Sequence, residues 1–93
     1  MSKNKPIIWS IAGTDSGGGA GLSADIRAAA AFGVHLCPVV AAITAQNSQG
    51  VQLVQATTPE VLEAQLAALA EDLPPTVIKT GLLGSADNVE VVA

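Results

Sequence analysis

Residues 7–25 read IIWSIAGTDSGGGAGLSAD, and this stretch decides the fold. Residues 7–12 form a short apolar run rich in β-branched residues, which predicts a strand buried on both faces. Residues 13–21 contain five glycines, and only a glycine-rich chain folds into so tight a loop. Residues 22–32 are good helix formers, with Gly33 placed where a helix would end. The stretch therefore predicts a strand, a glycine-rich turn and a helix in succession.

Further strand signals follow this unit. Residues 35–44 are apolar and β-branched, although Pro38 indicates that their early part is a strand start or an irregular approach. Residues 46–50 are polar, and we expect a loop there. Residues 51–56 alternate weakly between apolar and polar side chains, and residues 76–79 predict a short strand.

The longest helix has a clear start. Thr57 or Thr58 can cap it, Pro59 suits its first turn, and the spacing from Thr57 to Glu60 matches a capping box. One apolar stripe of this amphipathic helix is formed by Leu62, Leu66, Leu69 and Leu73. Two consecutive prolines then end the helix.

The end of the sequence repeats the same alternation. Residues 81–84 predict a turn, and Ser85 can cap a last helix that reaches toward Ala93. Alternating strands and helices are typical of an α/β fold with a mainly parallel sheet covered by helices. No strand follows the last helix, which indicates the first part of a larger sheet.

Composition restricts the class of protein. The chain has 93 residues, 49% of them hydrophobic, and a formal net charge of -4. This apolar content excludes a disordered chain, and the acidic balance argues against a nucleic-acid or membrane partner. The single cysteine, Cys37, is expected to be an inert buried thiol in a reducing compartment. The apolar run at residues 7–9 is too short for a signal sequence, so we expect a cytoplasmic protein.

The glycine-rich loop is the first candidate site. A loop of this kind between a strand and a helix exposes backbone N–H groups that can hold a ligand. Neither common nucleotide-binding fingerprint fits its glycine spacing. Asp15 within the loop and Asp25 in the helix would repel phosphate but accept hydrogen bonds from an amine or a hydroxyl. The loop therefore favours a small neutral heterocycle or alcohol, the plain alternative being a structural turn.

A second group of candidates follows the other strands at the same rim. Gln46 and Asn47 come after the second strand, and a side-chain amide there can read the edge of an aminopyrimidine ring. Gly81 and Leu82 follow the third buried strand, where a glycine lets a flat ring approach. Lys79 is either the partner of a carboxylate near the rim or a simple strand-end cation.

The remaining chemistry-bearing residues point away from other sites. His35 stands alone without a second ligand or a nucleophile nearby, so we interpret it as structural. No cluster of cysteine and histidine occurs, and we expect no metal site in these 93 residues.

Three motifs resemble those of the hydroxymethylpyrimidine/phosphomethylpyrimidine kinases of thiamine biosynthesis. They are residues 11–25 (IAGTDSGGGAGLSAD), residues 41–51 (AAITAQNSQGV) and residues 78–83 (IKTGLL), in the family's order. The resemblance covers nearly the whole chain after its first few residues. It implies a three-layer α/β/α ribokinase-like fold, of which residues 1–93 would be the N-terminal portion of a single domain.

The resemblance also implies a reaction and a set of site residues. The family uses ATP and Mg²⁺ to phosphorylate 4-amino-5-hydroxymethyl-2-methylpyrimidine and then its monophosphate. Gly13 and Asp25 would line the pyrimidine pocket, and Gln46 would pair with the ring's amino and nitrogen edge, helped by the backbone near Thr44. Leu82 stands where the family often has a methionine packed on the ring. The complete protein would be a homodimer.

The length departs from the family. Family members are roughly three times longer, and their ATP site and catalytic base lie in the C-terminal half. The resemblance thus implies that these 93 residues contain no catalytic residue, and we expect this chain alone to be inactive. Three alternatives stay open: a pyridoxal or pyridoxine kinase of the same superfamily, a non-catalytic small-ligand binding module, and a dinucleotide-binding half-domain. The absent glycine fingerprint weighs against the last of these.

Overall fold

A computed structural model describes residues 6–93 of the chain, so the first five residues of the predicted 1–93 unit lie outside it. Strands and helices alternate over most of its length, as the sequence predicts. In chain order they are β1 (Ile7–Gly13), α1 (Gly21–Ala31), β2 (His35–Asn47), β3 (Gly50–Ala56), α2 (Pro59–Asp72), β4 (Val77–Thr80) and α3 (Ala86–Val92).

The four strands form one sheet in the order β3-β2-β1-β4. β1 lies in the centre and pairs in parallel with β2 on one side and with β4 on the other. β3 pairs antiparallel with β2 because the two are joined by a tight hairpin. The mainly parallel sheet predicted from the sequence is confirmed, and the carboxyl ends of β1, β2 and β4 meet at one rim.

Helices cover both faces of the sheet. Successive side chains of a strand point to opposite faces, and two neighbours in β1 show this directly. The Ser10 hydroxyl donates to Asp25 in α1 over 2.6 Å, whereas the Trp9 indole N–H donates to the Leu73 carbonyl at the end of α2 over 2.8 Å. The molecule therefore has the three α/β/α layers that the resemblance implies.

The main core lies on the α2 side. Ile11, Val39, Ala41 and Leu62 are buried together, and α2 and α3 contribute further apolar side chains to the same cluster. The predicted leucine stripe supplies the α2 part of it, with Leu62 fully buried and both Leu66 and Leu69 packed against the cluster. This core holds the central strands in place beneath the rim.

A side-chain amide completes the edge of β2 where β3 does not reach. Gln65 accepts a hydrogen bond from the Val40 N–H and donates to the Val40 carbonyl, both at 2.9 Å, as a neighbouring strand would. Pro38 lies in this same unpaired part of β2, where its missing N–H breaks no ladder. Of the two alternatives at Pro38, the structure shows the strand start, because β2 runs continuously from His35.

Two local predictions are corrected by the structure. Gln46 and Asn47 lie at the end of β2, where they pair with Val51 and Gly50, so the predicted polar loop shrinks to a two-residue hairpin turn. The sequence could not reveal this, because polar residues are as compatible with an exposed hairpin as with a loop. In α2, Thr58 is the cap and accepts from the Val61 N–H, so no capping box forms from Thr57.

Over residues 6–93, no helix has both the length and the apolar character needed to cross a bilayer. The outer edge of β4 is unpaired within this part of the chain, and all four of its residues are exposed.

Candidate functional site

A cavity of about 300 Å³ opens at the rim where β1, β2 and β4 end. This volume lies at the small end of the range for ligand pockets, about 300–1,000 Å³. It is lined by Ala12, Gly13, Thr14, Asp15, Ala20, Gly21, Thr44, Gln46, Lys79, Gly81 and Leu82. Three separate segments of the chain thus build one site at the position where parallel sheets bind ligands.

The glycine-rich loop is organised around the carboxylate of Asp15. One oxygen accepts from the Gly17 N–H over 2.8 Å, and the other accepts from the N–H groups of Gly19 and Ala20 over 2.8 and 2.7 Å. Residual desolvation raises the pKa of Asp15, but these backbone hydrogen bonds outweigh it, so the pKa lies below its ordinary value. The backbone N–H groups of the loop therefore bind a carboxylate of the loop itself.

This arrangement revises the role expected for Asp15. Both of its oxygens are engaged by backbone N–H groups, so it stabilises the turn rather than accepting from a ligand amine. For the same reason these N–H groups are not free to cradle a phosphate, in agreement with the absence of a nucleotide fingerprint.

Three hydroxyl groups join the loop to the end of β2. Thr14 Oγ1 accepts from the Thr44 N–H over 3.1 Å, and Thr44 Oγ1 donates to the Thr14 carbonyl over 2.7 Å. Ser16 Oγ accepts from the Gln46 N–H over 2.7 Å and donates to the carbonyl of the same residue. The backbone of Gln46 is thereby fixed beside the loop, next to a register shift between Ala45 and Gln46.

Leu82 forms the opposite wall of the cavity. A Cβ placed on Gly13 would lie 3.3 Å from Leu82 Cδ2, so the glycine is what lets this side chain approach β1. The turn that carries Leu82 is held by a hydrogen bond of 2.8 Å from the Gly81 N–H to the Ile11 carbonyl. Leu82 itself is 51% exposed, leaving an apolar surface available to a ligand.

A buried asparagine anchors the same turn from behind. Asn88 Nδ2 donates to the carbonyls of Thr57 and Leu83 over 2.9 Å each, and to that of Ala41 over 3.3 Å. Its Oδ1 is buried without a hydrogen-bond partner among the described residues. Asn88 thus joins β2, the start of α2 and the turn after β4, although it does not touch the cavity.

Lys79, which forms an ion pair with Asp25, lines the cavity next to β4. Lys79 Nζ lies 2.9 Å from each carboxylate oxygen of Asp25, and Ser10 donates to Oδ2 of the same carboxylate over 2.6 Å. Partial burial raises the pKa of Asp25, but the hydrogen bonds from Ser10 and Lys79 and the charge of Lys79 lower it more, so the net shift is downward. The open question about Lys79 is thereby answered: it pairs with a carboxylate.

The structure brings together four of the five predicted pocket residues, since Gly13, Thr44, Gln46 and Leu82 all line the cavity. Asp25 is not among the lining residues and lies behind Lys79, with its side chain 18% exposed.

The sequence analysis missed the roles of Ser10, Thr14, Ser16 and Asn88. Each acts through a contact with a residue at least 15 positions away, except for Asn88's bond to Leu83. No local pattern signals such contacts. An asparagine within a short apolar helix is the one hint that was available for Asn88.

The residues set aside earlier stay outside the site. Cys37 is buried, and burial raises the pKa of its thiol. His35 lies at the start of β2, at the end of the sheet away from the rim. Within residues 6–93, no three side chains among His, Cys, Asp and Glu come together as metal ligands would.

Comparison with known proteins identifies relatives of this arrangement. A family described as phosphomethylpyrimidine kinase matches residues 15–93. The hydroxymethylpyrimidine/phosphomethylpyrimidine kinase of Synechococcus elongatus is 50% identical over 88 residues, which cover 95% of this chain and 34% of that protein.

Solved structures of related kinases also match nearly the whole of this chain. The crystal structure of phosphomethylpyrimidine kinase from Clostridium difficile 630 matches with a TM-score of 0.89 and 38% identity, over 95% of this chain and 38% of that one. An ADP complex of Bacillus subtilis pyridoxal kinase matches with a TM-score of 0.85 and 28% identity, over 95% of this chain and 35% of that one. The ribokinase-like fold implied by the resemblance is confirmed by these kinases.

The chain thus spans about a third of the length of the kinases it matches. The family match covers the glycine-rich loop from Asp15 onward, the Gln46 segment and the turn at Leu82, which together supply most of the cavity lining. This chain belongs to the phosphomethylpyrimidine kinase family.

Proposed function

We propose that the complete protein phosphorylates 4-amino-5-hydroxymethyl-2-methylpyrimidine and its monophosphate with ATP in thiamine biosynthesis, and that residues 6–93 supply the pyrimidine-binding part. The observation that carries this proposal is the cavity itself, whose lining combines the side-chain amide of Gln46, the apolar side chain of Leu82 and three glycines. An aminopyrimidine presents both a flat apolar face and an edge of donors and acceptors.

Gln46 is the proposed reader of that edge. Among residues 6–93 its side-chain amide has no hydrogen-bond partner, while its backbone is held by Ser16. A carboxamide both donates and accepts, which matches an amino group beside a ring nitrogen. Leu82 would pack on the ring, Gly13 would let the ring approach, and Thr44 would hold the floor.

The nucleotide requires groups that these residues do not offer. The glycine-rich N–H groups are engaged by Asp15, and the described residues hold no metal-ligand cluster. The glycine-rich loop is therefore not a cradle for the phosphates of ATP and its Mg²⁺. We propose that both bind to the part of the complete kinase that lies beyond this match, and that the 93-residue chain by itself transfers no phosphoryl group.

The experiment is a pair of measurements on the 93-residue chain. An NMR titration with the hydroxymethylpyrimidine should shift the amides of residues around Gln46 and Leu82, and an ATP-consumption assay should show no turnover. A chain that binds no pyrimidine would contradict the proposal that residues 6–93 supply the pyrimidine-binding part. Joining the chain to the remainder of a related kinase should restore turnover, whereas binding without turnover in that assembly would favour a non-catalytic binding module.

A pyridoxal kinase is the second candidate, because a kinase of that name shares the fold. The identity to it is 28%, against 38% to the phosphomethylpyrimidine kinase structure, which favours the pyrimidine. Competition between pyridoxal and the hydroxymethylpyrimidine in the same titration separates the two. We further propose that the complete protein is a cytoplasmic homodimer.

A further inference from the structure

The wall of the cavity next to β4 carries a cation whose position is set by two other side chains. Lys79 Nζ lies 2.9 Å from both oxygens of Asp25, and Asp25 is fixed in turn by the hydroxyl of Ser10 at 2.6 Å. Ser10 is fully buried in the central strand. An otherwise flexible lysine is therefore held at one place in the wall.

Most other polar groups around the cavity are already engaged. The Asp15 oxygens accept backbone N–H groups, and the Thr44 hydroxyl donates to Thr14. Over residues 6–93, Lys79 Nζ contacts only Asp25, and its side chain is 51% exposed. An ammonium group has three N–H donors, so the two bonds to Asp25 leave one donor for a ligand.

We propose that Lys79 is a specificity-determining residue of this site, which donates its remaining N–H to a neutral acceptor on the pyrimidine, and that Asp25 is its positioning residue. This inference rests on the proposed function and deepens it. The acceptor is either a ring nitrogen or the oxygen of the hydroxymethyl group.

The charges at the site explain why a neutral acceptor is favoured. Asp25 neutralises Lys79 at hydrogen-bond distance, and Asp15 keeps its negative charge in the neighbouring loop. The cavity thus offers no net positive charge to a phosphate. Lys79 therefore contributes equally to binding of the alcohol and of its phosphate ester, and removal of the Asp25 charge makes it favour the ester.

The test measures dissociation constants of the 93-residue chain for the hydroxymethylpyrimidine and the phosphomethylpyrimidine by NMR titration. Lys79→Met should weaken both by a similar factor of about tenfold or more, as expected for loss of a charged donor. Asp25→Asn should raise affinity for the phosphate ester relative to the alcohol. Lys79→Arg keeps the charge and the donors and should restore part of the binding.

A double variant controls for destabilisation caused by an unpaired Asp25 carboxylate. Lys79→Met leaves Asp25 without its cation, so the double variant Lys79→Met/Asp25→Asn, which removes both charges, is measured beside it. An analogue with methyl in place of hydroxymethyl identifies the acceptor: the Lys79→Met effect persists if a ring nitrogen accepts and disappears if the oxygen does.

The outcomes separate this inference from the proposed function. If the wild-type chain binds neither pyrimidine, the pyrimidine-binding role proposed for residues 6–93 is wrong. If the wild type binds and both lysine-to-methionine variants bind equally well, Lys79 is only the partner of Asp25, and the inference is overturned. If Lys79→Met weakened binding of the phosphate ester alone, the inference would also be overturned, since this result would mark Lys79 as a phosphate ligand.

Discussion

At the scale of single residues, the site is built from polar groups that are used internally and a few that are left free. Asp15 and Asp25 both appear in the sequence as acceptors for a ligand, yet each has its oxygens occupied by the protein. Gln46 keeps its amide available and has its backbone anchored. Which polar group serves the ligand is therefore decided by which donors and acceptors the protein leaves unused.

Gln46→Ala should weaken binding of the hydroxymethylpyrimidine by about 1–3 kcal/mol, because the ring edge would lose its hydrogen-bond partner in a partly closed cavity. Isothermal or NMR titration measures the change. Gln46→Glu is the matched control, since it keeps the size and one acceptor but loses the donors, and we expect an intermediate loss. An unchanged affinity in the alanine variant would refute the role assigned to Gln46.

Asp15→Asn should make the stability of the folded chain less sensitive to a fall in pH. The pKa of Asp15 in the folded chain lies below its ordinary value of 3.8, so its contribution is fully present above that pH and is lost as the pH falls through the folded value. The amide cannot accept from three N–H groups, so the variant should have a lower urea midpoint near neutral pH. Its midpoint should also fall less than that of the wild type between about pH 5 and about pH 2. If the urea midpoints of the variant and the wild type fell equally over this pH range, the stabilising role assigned to the Asp15 carboxylate would be wrong.

At the scale of elements, the turn between β1 and α1 depends on close backbone contact. Gly21 has a φ of +58°, and a Cβ at this position would lie 2.5 Å from the Gly13 carbonyl oxygen. Gly18 has a φ of +78°, but a Cβ there would meet nothing within 4 Å. A substitution at Gly18 therefore tests the cost of a left-handed backbone alone, whereas one at Gly21 adds the cost of a steric clash.

Gly18→Ala should cost about 1–2 kcal/mol of unfolding free energy, the usual penalty for an alanine in the left-handed region. Gly21→Ala should cost clearly more, because the new methyl group overlaps a backbone oxygen that cannot move without shifting the end of β1. Urea denaturation of both variants measures the difference. Equal costs would mean that the turn relaxes and that β1 and α1 do not meet as closely as the structure shows.

At the scale of the whole molecule, the 93-residue chain leaves apolar surface uncovered. Val77 and Ile78 in β4 are 54% and 50% exposed, and Phe32 at the end of α1 is 83% exposed. These residues lie beside or near an unpaired strand edge, and exposed edges of this kind promote association.

We expect the chain to self-associate as its concentration rises, and Val77→Lys to reduce this, because a charge on an edge strand opposes pairing. Val89→Lys is the matched control: it makes the same substitution at a residue of α3 that is 52% exposed, nearly the same as Val77. Sedimentation velocity at several concentrations measures the effect. Equal suppression by both variants would show that added charge, and not the β4 edge, is responsible.

Much of the fold could be predicted from the sequence because its signals are local. The apolar run at residues 7–12, the Thr58 and Ser85 caps and the leucine stripe of α2 each depend on neighbours within a few residues. Such patterns reflect hydrogen bonding and burial that the backbone itself imposes. The rim of the sheet followed from the same alternation, and it placed the glycine-rich loop, Gln46 and Leu82 in one region, whereas Thr44 was implied by the family resemblance.

Only the tertiary structure decided the chemistry within that region. Asp15 closes its own loop, Asp25 lies behind Lys79, and Asn88 holds the turn of Leu82 through partners as many as 47 positions away. A side chain's hydrogen-bonding capacity can be read from its type, but whether that capacity is used depends on distances across the fold. The sequence alone thus determined the family, the sheet and the location of the site, whereas packing decided which polar atoms remain free for a ligand.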